Sequence, residues 1–323
     1  LGKKVEVCVG SSIGAVNTIL LGGLLPLGMS DAVETLYSLW SNRSFSTTFS
    51  GPPSRAFLKA LKITFLKYSS PSPTSTTDSI FDPTPLIHQV NTALLNAYAR
   101  PDYPIGVGPR KAVMTTVEGQ KRRPLLFVES ATSIPSDRFV GAPFTVSFVH
   151  QLTAEHGLAS AALPSVLPPV ELNTDTGQTR FVDGGICDNV PVDPALRLGA
   201  QDIISVDISG RKWWHDRYGH SHDTSPSWEV PSQEGTWCVT PGRHLELINR
   251  VGLGEILRQT VGRSTKDFMA ALGPIWPVFK VLKMKMGEEL AFEVMSYVAL
   301  HPNYFTALIE RGYEETKAAL PEK

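Results

Sequence analysis

The chain has almost no excess of either charge. Its 30 Lys and Arg stand against 31 Asp and Glu, a formal net charge of −1 over 323 residues. A protein that grips nucleic acid through its phosphates needs a basic field or stripe, so this balance argues against a nucleic-acid partner. Cysteine is also scarce: Cys8, Cys187 and Cys238 are odd in number and far apart. They offer no disulfide framework and fit a reducing, intracellular compartment, with Cys8 expected to pack as a small buried hydrophobe. No apolar run is long enough for a bilayer crossing of about 20 residues. The best candidate, Ile13 to Met29, is broken by Asn17, the Gly22-Gly23 pair and Pro26, and reads as a helix buried on all sides. His215, His220 and His222, with Asp216 and Asp223, match no zinc spacing. They read as a polar loop, and no metal or other cofactor is expected. There is no internal repeat. The chain begins without methionine, almost inside a strand, so an earlier segment carrying a targeting signal is compatible with it.

What is present is a globular composition, 42% hydrophobic and 19% charged, enough for one large domain or a domain with an appendage. The run Val5-Glu6-Val7-Cys8-Val9 leads into Gly10-Ser11-Ser12-Ile13-Gly14 and then into the apolar helix. Strand, Gly-x-Ser-x-Gly turn and helix form the context of a nucleophile elbow, with Ser12 in frame. Gly10 and Gly14 are expected to keep side chains out of the place where strand and helix nearly touch, or to adopt angles that only glycine adopts cheaply. Further helices are expected over Asp31–Trp40 (with Asp31 as its cap), Pro83–Tyr98, Val149–Ala162 and Pro194–Leu198. Lys111–Glu118 and Pro124–Glu129 read as a hairpin, Thr179–Val182 and Asp202–Asp207 as strands. Strands alternating with helices imply an α/β domain with a largely parallel sheet.

A second constellation is Val182-Asp183-Gly184-Gly185 followed by Asn189 and Pro191. Asp183 leaves a strand end and enters a Gly-Gly turn, which brings a carboxylate to the sheet edge where an elbow serine would lie. A desolvated carboxylate bonded to a serine hydroxyl can act as its base. The bland alternatives are a tight strand–helix turn at Ser12 and a turn acid at Asp183. Asn189 and Pro191 read as loop-shaping residues, and Asp188, Asp193 and Asp207 as surface or capping acids. A Ser–Asp–His hydrolase would instead need a late histidine, for which His215, His220, His222, His244 and His301 qualify by order alone.

Three ordered blocks make the chain resemble the patatin-like phospholipases. They are Gly10-Ser11-Ser12-Ile13-Gly14-Ala15-Val16-Asn17, Ala159-Ser160-Ala161-Ala162-Leu163-Pro164 with the tail Pro168-Pro169-Val170, and Val182-Asp183-Gly184-Gly185 with Asn189-x-Pro191. The resemblance spans residues 5 to about 208. It implies a three-layer α/β/α domain with a mostly parallel sheet, and a Ser–Asp dyad of Ser12 as nucleophile and Asp183 as base. It further implies hydrolysis of an acyl ester of a phospholipid, lysophospholipid or neutral glyceride at a membrane or lipid-droplet surface, without a metal. The family's glycine-rich loop, which supplies most oxyanion donors ahead of the elbow, has no counterpart here. Gly22-Gly23 and Gly184-Gly185 stand in the wrong places, leaving the N–H of Ile13 as the donor. The chain is therefore expected to be either a fragment of an active enzyme or a catalytically impaired, lipid-binding or regulatory protein.

The expected organisation is a catalytic domain over 1–208, a long loop or insertion over 209–243 and a helical part over 244–323 packed on the core. Ser69 to Ser79 is a low-complexity polar segment, read as a surface loop. Trp213, Trp214, Trp228 and Trp237 fall in the long insertion and suit either a lipid interface or loop anchoring. Gly273 to Leu290 reads as one amphipathic helix with Lys280 and Lys283 opposite its apolar face. Packing against the domain is preferred over lying on an anionic, peripheral membrane surface.

Overall fold

A computed structural model of the chain describes residues 4–51, 53–66, 79–119, 123–175, 177–208, 243–248 and 251–320. The main sheet is organised around one strand, β2 (Arg110–Val117), whose residues 111–116 are all buried. A strand covered on both faces needs apolar side chains on both. Val113 faces one core with Leu125 and Phe127, while Ala112 and Met114 face another with Leu126 and Val128. β2 pairs in parallel with β1 (Val7–Ser11) and antiparallel with β3 (Arg123–Glu129) and β6 (Gly177–Val182). β4 (Thr145–Phe148) adds in parallel to β3, and β5 (Val170–Thr174) antiparallel to β6. Parallel and antiparallel pairs therefore coexist. Strands joined by a short hairpin, as β2–β3 and β5–β6 are, can only pair antiparallel.

Helices α1 (Ile13–Leu24), α5 (Thr84–Tyr98) and α6 (Ala154–Ala161) fill the core on one face through Val16, Ile19, Leu20, Val90, Leu94 and Ala159. On the other face Leu198, which caps α7 (Val192–Arg197), and Phe144 close the layer. The α/β/α arrangement expected from the sequence holds. α1 lies close to the sheet because Gly22 presents no side chain, and close to α5 because Gly23 presents none. A Cβ on Gly22 would sit 2.5 Å from Lys111 Cγ and Cδ, and one on Gly23 2.7 Å from Leu94. Lys111 is buried there and paired with Glu129 at 2.6 Å.

Several elements differ from the sequence expectation. α2 runs Met29–Ser41 and is entered through Gly28 at φ 128, so Asp31 lies in its first turn and pairs with Arg100 at 3.1 Å instead of capping. The stretch expected as helix from Val149 begins as helix only at Ala154, where Thr153 and His156 form a capping box. β5 was not foreseen. The segment after His244 is not helical throughout: β8 (Arg243–Ile248) pairs in parallel with β7 (Asp202–Asp207) in a separate two-stranded sheet. The expected helix over Gly273–Leu290 is a 3-10 turn (Gly273–Ile275) and two helices that meet at Gly287, φ 85.

The C-terminal helices are α8 (Leu253–Thr260), α9 (Thr265–Leu272), α10 (Trp276–Met286), α11 (Glu288–Ser296) and α12 (Pro302–Ala319). Leu257, Phe268, Leu272, Phe279, Phe292 and Tyr304 form a second core, into which α3 (Phe45–Thr48), α4 (Pro53–Leu66) and the residues around Phe81 also pack. Val278, Phe279 and Leu282 of α10 face this core, while Lys280 lies over Trp276 and Lys283 pairs with Glu288. The apolar face of α10 is thus used in packing. Among the described residues no helix is long and apolar enough to cross a membrane. The expectations for residues 69–78 and 211–242, including Trp213, Trp214, Trp228, Trp237, His215, His220, His222 and Cys238, lie outside the described residues.

Candidate active site

The strand registers bring two strand ends to one position. β1 runs along β2 as far as Ser11 opposite Met114, and β6 approaches from the other end with Val182 opposite Thr116. The next residue of each, Ser12 and Asp183, meets over Thr115. Ser12 Oγ donates to Asp183 Oδ2 at 2.6 Å, across 171 residues of sequence.

Ser12 stands at the N-cap of α1 with φ 53 and ψ −132, one of two described non-glycine residues with positive φ. A serine at an N-cap ordinarily accepts a hydrogen bond from the first helical turn. Here there is no such bond, because the hydroxyl points to Asp183. The turn's positive φ thus falls on the serine, whereas neither Gly10 nor Gly14 takes the special angles expected of them. Gly10 has the expected steric role: a Cβ on it would overlap the Gly14 carbonyl and stand 2.5 Å from Thr18 Oγ1. Gly14 does not, since a Cβ there would meet nothing within 4 Å. Ile13 opens α1, so its N–H is among the amides that a helix leaves unshared in its first turn.

Asp183 is buried, and its second oxygen, Oδ1, accepts the N–H of Gly185 at 2.7 Å. Burial pushes its carboxyl up to about 6, against the lowering effect of the bonds from Ser12 and Gly185. The two glycines that follow are sterically required. A side chain on Gly184 would overlap the Met114 carbonyl, and one on Gly185 would stand 2.7 Å from Asn189 Oδ1 and 2.9 Å from Asp183 Oδ1. Asn189 therefore lies against the turn. Asp188 caps the N–H of Val190 at 3.2 Å, Asp193 pairs with Arg197 at 2.8 Å, and Asp207 is buried rather than on the surface.

Sequence reasoning gave no role to Ser160. Its hydroxyl accepts the N–H of Ser12 at 2.8 Å and donates to the Met114 carbonyl at 2.6 Å. Two residues on, the Ala162 carbonyl accepts the N–H of Asp183 at 3.0 Å. The Ala-Ser-x-Ala block was the available signal, but a small serine in an alanine-rich helix announces nothing by its own pattern. Two of the late histidines are engaged elsewhere: His244 with Ser205 at 2.8 Å, and His301 as the N-cap of α12, while His215, His220 and His222 lie outside the described residues. Neither Ser12 nor Asp183 has a histidine partner among the described residues.

Fold and site define an α/β protein with a serine held on a buried carboxylate at a strand–turn–helix junction. The family model for patatin-like phospholipase matches residues 1–196, more than half of the chain, and the protein belongs to that family, one of lipid acyl hydrolases. Neither the curated proteins nor the solved structures contain a match to it.

Proposed function

We propose that the protein hydrolyses carboxylic ester bonds of lipids, of the phospholipase A, lysophospholipase or acylglycerol type, through a Ser12–Asp183 dyad. The observation that carries this reading is the 2.6 Å bond from Ser12 Oγ to Asp183 Oδ2 at the tip of the elbow. Ser12 Oγ attacks the acyl carbonyl as its proton passes to Asp183 Oδ2. The tetrahedral oxyanion lies at the start of α1, where the Ile13 N–H and the positive end of the helix dipole favour negative charge. Asp183 then returns the proton to the departing alcohol and leaves an acyl-Ser12 ester. A water molecule gives its proton to Asp183, attacks that ester and releases the fatty acid, and Ser12 recovers its proton. Gly10 and Gly184 serve this chemistry by letting the backbones approach, and Gly185 by leaving room for the Asp183 and Asn189 side chains.

A fluorescent fluorophosphonate tests the reading. The wild type is expected to label, Ser12→Ala not at all, and Asp183→Asn at least 100-fold more slowly, within the range for loss of a positioned base. The base must be ionised to work. Because burial lifts its carboxyl to about 6, labelling and ester hydrolysis should fall away as pH drops through about 6. Full hydrolysis by Asp183→Asn would remove the dyad from consideration.

A further inference from the structure

Both members of the dyad are gripped by a single turn of α6. Ser160 Oγ joins the Ser12 N–H to the Met114 carbonyl, and the Ala162 carbonyl holds the Asp183 N–H. We propose that Ser160 is a positioning residue, which aligns Ser12 with Asp183 by fixing the backbone of the elbow. This rests on the dyad reading above and adds to it a residue that touches neither substrate nor the reacting atoms.

The need for such a residue follows from the sheet. β1 stops pairing with β2 at Met114, because the Gly184-Gly185 turn closes over that carbonyl so tightly that no Cβ fits. The ladder therefore offers no partner to the next amide of the β1 chain, that of Ser12. An amide turned away from water and left unsatisfied destabilises the fold, and Ser12 already holds a positive φ that persists only where surrounding contacts over-determine it. A hydroxyl can accept and donate at once, and Ser160 uses both capacities on opposite sides of the gap. A serine inside a helix commonly bonds back to the carbonyl four residues earlier. This one turns away from its own helix. It is fully buried between Ala159 and Ala162, themselves fully buried, so no larger polar side chain fits the position. Gly157, on the same helix, lets α6 come close: a Cβ there would be 3.1 Å from Ile19 and 3.2 Å from Val16 of α1.

The consequence reaches the chemistry through Asp183. Its carboxyl is raised by burial and lowered by the Ser12 bond. With Ser160 removed, the elbow relaxes and that bond lengthens, while the burial remains. The carboxyl then rises further and the acid limb of activity moves to higher pH.

The test uses the full chain with Ser160→Ala and the near-isosteric Ser160→Cys, beside Asp183→Asn, on a short-chain soluble ester. For Ser160→Ala we expect kcat to fall about 10- to 100-fold, the scale of an ångström-sized misplacement, with KM within about 2-fold and the acid limb displaced upward. Ser160→Cys, a weaker donor and acceptor, falls between. Wild-type kcat and an unmoved acid limb in Ser160→Ala would overturn the inference. So would a kcat loss with an unmoved acid limb that simply tracks the melting temperature, since that is a structural role. Full activity in Asp183→Asn would instead strike the dyad reading. Amide exchange by NMR is independent of turnover: the Ser12 N–H should be protected in the wild type and lose protection in Ser160→Ala. A Ser12 amide that stays protected in the variant overturns the inference whatever the activities are.

Discussion

Ser12 holds φ 53 and ψ −132, a conformation that costs a residue with a Cβ about 1–3 kcal/mol. The strain aims the hydroxyl at Asp183 instead of at the first turn of its own helix. The neighbouring glycines divide the remaining work unequally, which gives a prediction at this scale. Gly10→Ala places a methyl group into the Gly14 carbonyl and against Thr18, all backbone or buried side chain, so α1 must move away from β1. Overpacking of this kind costs about 1–3 kcal/mol, and labelling at Ser12 should fall with the melting temperature. Gly14→Ala meets open space and gains helix propensity of up to about 1 kcal/mol, so the melting temperature should hold or rise. Equal damage from both substitutions would contradict this division. Sequence alone could name Ser12 and Asp183 because each stands in a recognisable local pattern. It could not separate Gly10 from Gly14, since the string treats them alike and only the packing of Thr18 and the Gly14 carbonyl tells them apart.

At the scale of elements, α1 is set on the sheet by Gly22 and against α5 by Gly23. Helix propensity favours Gly22→Ala by about 1 kcal/mol, yet the new methyl would lie 2.5 Å from the Lys111 side chain. That side chain cannot swing aside without breaking its buried 2.6 Å pair with Glu129, and Glu129 also accepts the Leu152 N–H at 2.7 Å ahead of α6. Gly22→Ala should therefore lower the melting temperature despite the better propensity, with a net loss on the order of 1–3 kcal/mol. Adding Lys111→Met, which removes the pinned ammonium and leaves a flexible chain, should make the same substitution less damaging in a double-mutant cycle. No coupling in that cycle would mean that the lysine is not the obstacle. The same elements show where sequence patterns suffice. Lys111–Glu118 and Pro124–Glu129 are β-rich runs separated by the polar stretch Gly119-Gln-Lys-Arg-Arg123, so the two strands of this hairpin are legible. β8 is not, because His244-Leu-Glu-Leu-Ile248 is a short apolar run whose identity as strand depends on β7 lying beside it. Val149–Thr153 carries no sequence mark of the start of α6, because the cap at Thr153 works through His156, a residue that does not ordinarily signal one.

For the whole molecule, the family match ends at residue 196, but the packing does not. Phe45, Phe49, Ala60, Phe81, Val166 and Leu167 share one core with Leu257, Phe268, Leu272, Phe279, Phe292 and Tyr304 of the C-terminal helices. Trp40 of α2 stacks on Phe305 at 5.8 Å. Each large side chain in such a core contributes about 1.5–3 kcal/mol when fully buried, against a net stability of about 5–15 kcal/mol for a whole protein. The shared core also leads back to the Ser12–Asp183 pair. Ile80 and Phe81 donate their N–H groups to the carbonyls of Ser165 and Val166 at 3.1 and 3.0 Å, and Val166 and Leu167 close onto the Leu163 carbonyl. Leu163 follows Ala162, the residue that holds the Asp183 N–H. A chain ended after Ile208 should therefore lose cooperative unfolding, bind a hydrophobic dye and fail to label at Ser12, even though Ser12, Asp183 and all three sequence blocks remain. Ending the chain before α12 only, after Leu300, removes Tyr304 and the Trp40–Phe305 stack but spares α8 to α11. It should fold with a lower melting temperature and still label. If the 208-residue chain instead unfolds cooperatively and labels like the wild type, the C-terminal helices are an independent unit and the second core does not support the site.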